Sequence, residues 1–151
     1  MMKTFTILTL AVLILAAGTV AMYGQAPTIE KLASGTYIVY ARAPQTWRFR
    51  VDPKTMGNVV ISGNFAVTEG VPKNLDVLVF NEENYSKWKN EDDFEAKASA
   101  KPLASVIRLG EGNINAKLTD AGYYFLVISN RHQYEGRKTV NADIKVQYDK
   151  R

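Results

Sequence analysis

The chain's single histidine is its first candidate for acid or base chemistry. His132 lies in a polar Asn-Arg-His-Gln stretch that follows an apolar run. Nucleophilic catalysis needs a serine or cysteine beside an oriented base, and the sequence has no cysteine and no Gly-x-Ser-x-Gly elbow. One histidine cannot supply the three protein ligands of a catalytic zinc site. We therefore interpret His132 as a solvated loop residue and predict no catalytic residue, no metal site and no cofactor.

An acidic stretch, Glu91-Asp92-Asp93 with Glu95, could offer carboxylate oxygens to calcium. It lacks the alternating Asp-x-Asp-x-Asp-Gly order of a calcium-binding loop. A solvated loop is the simpler interpretation. We predict that the whole polar, alanine-rich segment 91–102 is a long loop.

Aromatic side chains are the other candidates for function. Trp47, Trp88, Tyr123 and Phe125 form the candidate interaction patch. Trp88 also has a structural interpretation, because it follows Tyr85 by three residues in a predicted helix, and two rings on one helical face can pack on a sheet. A carbohydrate binder would expose coplanar rings, but sequence alone cannot place these rings on one surface.

Short segments with period-two alternation must position those side chains. Their rhythm, broken by Gly, Pro, Asn and Asp, predicts an all-β antiparallel sandwich of about eight strands. Gly63 within one of them predicts a bulge or a close approach of two backbones. The predicted strands are 36–41, 47–51, 59–67, 75–80, 105–109, 113–118, 123–129 and 139–148.

One short helix is predicted near residues 82–90. Asn81 can cap it, acidic residues occupy its first turn and lysines its last, in agreement with the helix dipole. The strands 75–80 and 123–128 are apolar on both faces, and only one face can point into a two-sheet core. Either the helix and the 91–102 loop cover the second face, or part of it stays open as an apolar patch.

The run Asp120-Ala-Gly122-Tyr-Tyr124 has the Asp-x-Gly-x-Tyr pattern of a tyrosine corner. Asp120, Gly122 and Tyr124 are therefore expected to be structural. The Tyr124 hydroxyl should reach back to the preceding backbone while its ring closes one end of the core.

The amino terminus has a lysine, an apolar run and then small residues, which predicts a signal peptide over 1–21. An uncleaved anchor is the alternative. We expect a flexible segment over 22–32, one domain over 33–151, a periplasmic or extracellular location and no stable membrane span after cleavage. The net charge of +4 is scattered among acidic residues, so no nucleic-acid partner is expected.

Three segments together resemble the Golgi-dynamics (GOLD) domain and its bacterial secreted relatives: 58–67, 75–89 and 120–131. The resemblance spans about residues 33–148 and implies a non-catalytic β-sandwich for protein contacts. The chain lacks the cysteine pair, coiled coil and membrane span of the eukaryotic members, so a cargo-receptor role is not carried over.

The expected function is thus an exported, non-catalytic binding module with a protein partner. A glycan ligand is one alternative. An enzyme or inhibitor subunit that acts through the 131–138 loop is another.

Overall fold

The computed structural model describes residues 25–90, 94–131, 133 and 136–151. Two antiparallel four-stranded sheets lie face to face, and all pairing between neighbouring strands is antiparallel. The prediction of an all-β sandwich with eight strands is therefore confirmed. The predicted signal peptide lies outside the described residues.

Each sheet draws its strands from distant parts of the chain. The first sheet has the order β1-β8-β3-β6, and the second has the order β2-β7-β4-β5. The elements are β1 (Thr28–Tyr40), β2 (Gln45–Val51), β3 (Met56–Glu69), β4 (Leu75–Asn81), α1 (Glu82–Lys89), α2 (Phe94–Ser99), β5 (Ala104–Leu109), β6 (Glu111–Leu118), β7 (Gly122–Ser129) and β8 (Arg137–Lys150).

The main core lies between the two sheets, because alternate residues of each strand turn inward. Strand β8 shows this most clearly, with buried and solvent-facing positions alternating from Lys138 to Tyr148. Fully buried members of the core include Val39, Ile61, Phe65, Leu75, Leu126, Ile128 and Ile144. This burial of apolar area is the main force holding the two sheets together.

Gly63 lies where β3 crosses β8 at close range. A side chain at this position would run into the backbone oxygen of Asp143, and the backbone angle φ is +155°, which favours glycine. The close backbone approach predicted from the sequence is confirmed.

Two boundaries differ from the sequence-based expectations. Residues 28–32 are not a flexible leader, because they already pair with β8 from Thr28 opposite Tyr148. The segment 91–102 is not all loop, because Phe94–Ser99 form α2. The reason is local, since alanine, glutamate and lysine are good helix formers.

Candidate functional site

The outer face of the second sheet carries most of the candidate residues. The register of β7 against β4 places Phe125 beside Phe80 and Val127 beside Leu78 on this face. A second cluster of buried apolar residues forms there, separate from the core between the sheets. It consists of Leu78, Phe80 and Val127, with Tyr85, Trp88, Ala100 and Phe125 packed against them.

Helix α1 covers this second cluster. The Asn81 side chain caps the helix by accepting a hydrogen bond of 3.0 Å from the Asn84 backbone N–H. One turn later the Tyr85 ring stacks on Phe125, with centroids 4.0 Å apart and planes within 8°. The Trp88 ring centroid lies 5.7 Å from that of Phe80. The sequence left two interpretations of this apolar face, a covered face or an open patch. Helix α1 covers the half that carries Phe80 and Phe125.

Arg131 covers the Trp88 ring from the side of the loop. Its guanidinium carbon lies 3.9 Å from the ring centroid, and its Nη1 donates a 2.9 Å hydrogen bond to the Trp88 carbonyl. A cation over an aromatic face is attracted to the ring quadrupole. Trp88 thus packs against the scaffold on Phe80 and is held there by Arg131, although it keeps a partly exposed edge.

Among the described residues, helix α1 contacts β4 and β7, and no helix covers the half of this face nearest β2. We call Arg48, Arg50 and Tyr123 the cationic strip. The guanidinium carbon of Arg48 lies 4.7 Å from the Tyr123 ring centroid, and that of Arg50 lies 6.0 Å away. Both arginines are exposed. Among the described residues, neither guanidinium has a carboxylate within the 4.0 Å of an ion pair.

A shallow groove of about 580 Å³ continues from the cationic strip toward the end of the sheet. Two basic and two acidic side chains line it, so their formal charges balance. Its lining residues are Arg50, Val51, Asp52, Lys54, Glu82, Ala121, Gly122 and Tyr123.

The four rings of the predicted patch do not form one surface. Trp47 faces the opposite side of the second sheet, where it packs at the margin of the main core. Its ring meets that of Tyr37 edge to face, with the two ring centroids 4.9 Å apart. Strict alternation along β2 explains this, because Trp47 shares its parity with the buried Val51. Tyr123, Phe125 and Trp88 do lie on the outer face, but Phe125 and Trp88 are engaged in packing.

The corner at the start of β7 has the expected geometry. The Tyr124 hydroxyl donates a 2.9 Å hydrogen bond to the Asp120 carbonyl, and the Asp120 N–H donates to the same hydroxyl at 3.3 Å. Gly122 permits the turn with a φ of +144°. Burial raises the pKa of the Tyr124 phenol above its ordinary value. These contacts give Asp120, Gly122 and Tyr124 a structural role.

A buried lysine at the other end of the sandwich was missed by the sequence analysis. Lys138 is 1% exposed, and its ammonium donates to both the backbone and side-chain oxygens of Asn74. Burial lowers the pKa of Lys138, while the Asp76 carboxylate opposes that shift. A signal was present: Lys138 has the same parity as the inward residues Val140 and Ala142.

Two further candidates fall mainly outside the described residues. These are His132, with Tyr134 and Glu135 of the same loop, and the acidic residues Glu91, Asp92 and Asp93. Within the ranges that are described, no group of three or more His, Asp or Glu side chains could hold a metal ion. In the same ranges, no helix has the length and apolarity needed to cross a membrane.

No protein-family model matches the chain, and no curated protein matches it significantly.

Proposed function

We propose that this protein is an exported, non-catalytic binding module of GOLD-like type that holds an acidic protein segment on the cationic strip. The carrying observation is the pair Arg48 and Arg50, exposed side by side on β2 without a carboxylate partner among the described residues. A guanidinium binds carboxylates through paired hydrogen bonds. An acidic segment of a partner would supply the missing carboxylates.

The position of Tyr123 supports this proposal. Its ring lies under Arg48 at 4.7 Å, which restrains that guanidinium. A restrained side chain loses less conformational entropy when it binds, so the strip is partly organised in advance for its partner. Phe125, on which the Tyr85 ring stacks, lies directly opposite Arg48 in the pairing of β2 with β7.

The glycan alternative has less support from the same surface. A flat sugar ring needs an open aromatic face, but Arg131 covers one face of Trp88 and Tyr85 covers one face of Phe125. Trp47 points to the other side of the sheet. Arg48 likewise lies over one face of Tyr123, 4.7 Å from the ring centroid.

The test uses an array of acidic, neutral and basic peptides together with a glycan array. The parent protein is compared with Arg48→Glu/Arg50→Glu and with the control Lys117→Glu/Lys145→Glu, which makes the same charge change on the outer face of the first sheet. We expect binding of acidic peptides to fall at least about tenfold in the strip variant and to persist in the control.

Equal losses in both variants would show attraction by net charge alone and would contradict a specific strip. Binding of glycans that is lost in Tyr123→Ala, without binding of acidic peptides, would replace the proposal by the glycan alternative.

A further inference from the structure

Several loops meet at the end of the sandwich where Lys138 is buried. The Ala41 N–H donates to the Gly136 carbonyl at 3.0 Å, and the Gln133 side-chain amide donates to the Val71 carbonyl at 3.2 Å. Gly110 lies directly against the backbone of Lys73. These contacts join the described residues of the β1–β2, β3–β4, β5–β6 and β7–β8 connections into one continuous surface, which we call the loop tip.

Large apolar side chains protrude from the loop tip. Val71 is 89% exposed, and Tyr40 and Leu109 are each about half exposed. The loop that carries Val71 is fixed rather than free: the Lys138 ammonium binds Asn74, and the Asn74 N–H donates to the Pro72 carbonyl at 2.9 Å. The fold thus holds an apolar side chain out in solvent on an anchored loop.

The same end of the molecule is rich in positive charge. Among the described residues of the loop tip, four basic residues are exposed, Arg42, Lys73, Arg108 and Arg137, against two exposed acidic ones, Glu69 and Glu111. Lys73, Arg108 and Arg137 are exposed beside the protruding apolar groups. Of the acidic residues, Glu69 already accepts a 2.8 Å hydrogen bond from the Thr139 hydroxyl.

We propose that the loop tip binds an anionic lipid surface. Protruding apolar groups flanked by Lys and Arg fit the boundary between lipid headgroups and acyl chains, where the apolar groups leave water and the cations meet lipid phosphates. A deformable lipid surface needs no matching pocket for the protruding Val71 side chain. The binding is peripheral and reversible, and it uses a different surface from the cationic strip.

Cosedimentation with vesicles tests this inference. The full chain without its predicted signal peptide is mixed with phosphatidylcholine vesicles, or with vesicles of equal parts phosphatidylglycerol and phosphatidylcholine. We expect binding to the anionic vesicles alone, weakened by added salt. Val71→Asp and Lys73→Glu/Arg108→Glu should each reduce it at least about tenfold, because they remove the apolar contact and the charge attraction respectively.

Ile29→Asp is the matched control, since Ile29 is also an exposed β-branched residue, 54% exposed, at the start of β1. It should bind vesicles like the parent. Thermal unfolding of each variant should be unchanged, because Val71, Lys73 and Arg108 are exposed.

Three outcomes would overturn the inference. One is absence of binding to the anionic vesicles at low salt. Another is loss of vesicle binding in Arg48→Glu/Arg50→Glu with Val71→Asp unaffected, which would assign the lipid to the cationic strip. The third is loss of acidic-peptide binding in Val71→Asp with no effect on vesicles, which would make the loop tip a protein-binding surface.

Discussion

The outer faces of the two sheets differ in chemistry although both sheets have four antiparallel strands. The first sheet presents polar side chains outward, including Ser62, Asn115, Lys117, Asp143 and Lys145. The second presents Leu78, Phe80, Phe125 and Val127, and this apolar cluster needs α1 as a cover. A sheet whose strands alternate in polarity buries one face in a core, whereas a sheet that is apolar on both faces needs a second buried layer on its other side.

The second sheet also shows where its cover stops. Strand β2 alternates strictly, so its outward positions are the polar residues Thr46, Arg48 and Arg50, although its neighbour β7 is apolar on both faces. These outward side chains are polar, so their exposure to water carries no hydrophobic free-energy cost. The boundary between the covered and open halves is set by the polarity of β2.

The largest expected effect compares one residue from each outer face. Phe80 is 1% exposed under α1, so Phe80→Ala should cost about 3 to 5 kcal/mol of unfolding free energy through the cavity it leaves. Val60 points outward from the first sheet, and Val60→Ala should stay within about 1 kcal/mol. Urea unfolding measures both. Similar losses would show that the outer cluster is not a second core.

Trp88→Ala should have the next largest effect. The substitution removes the ring that packs on Phe80 and that the Arg131 guanidinium contacts. Part of this ring is already exposed, which limits the loss. We expect a loss above about 1 kcal/mol and below the 3 to 5 kcal/mol of a fully buried aromatic residue. An unchanged denaturation midpoint would mean that α1 does not depend on Trp88.

Neighbouring tyrosines on opposite faces of β7 give a finer comparison. Tyr124→Phe deletes the hydroxyl bonded to Asp120 and should cost about 0.5 to 1.5 kcal/mol. Tyr123→Phe should cost less, because Tyr123 lies on the open face under Arg48. Equal losses in urea titrations would contradict the structural role of the corner.

Alkaline pH should distinguish the same corner from the rest of the fold. The folded-state pKa of Tyr124 lies above the ordinary 10.0, because burial disfavours the phenolate. The stability linked to this group is present below pH 10 and is lost as pH rises through the raised pKa. The parent should therefore lose more stability than Tyr124→Phe above pH 10, measured by urea unfolding. A constant difference between the two proteins across this range would argue against the link.

The smallest effect on stability is expected in the cationic strip. Arg48→Glu/Arg50→Glu changes two exposed side chains that have no carboxylate partner among the described residues, so unfolding free energy should change by less than about 0.5 kcal/mol per site. Thermal unfolding provides the check. A large loss would mean that the contacts with Tyr123 hold the sheet together rather than serve a partner.

Local pattern was sufficient for most of the fold. Alternation predicted eight strands, Asn81 marked the start of α1, and the run from Asp120 to Tyr124 predicted the corner. Helix α2 was missed because its six residues have too short a pattern to separate helix from polar loop. Strand β1 begins earlier than expected because it pairs with β8, whose residues lie 97 or more positions away along the chain.

Taken alone, the sequence determined which face of each strand is apolar, since side-chain parity is a local property of an extended chain. The pattern thereby required a core between the two sheets and a cover over the outer apolar face of the second sheet. Tertiary structure decided which surfaces remain open, because that depends on which distant elements meet. It turned Trp47 toward Tyr37, placed Arg131 over Trp88, and brought the buried Lys138 beneath the loop that holds Val71 in solvent.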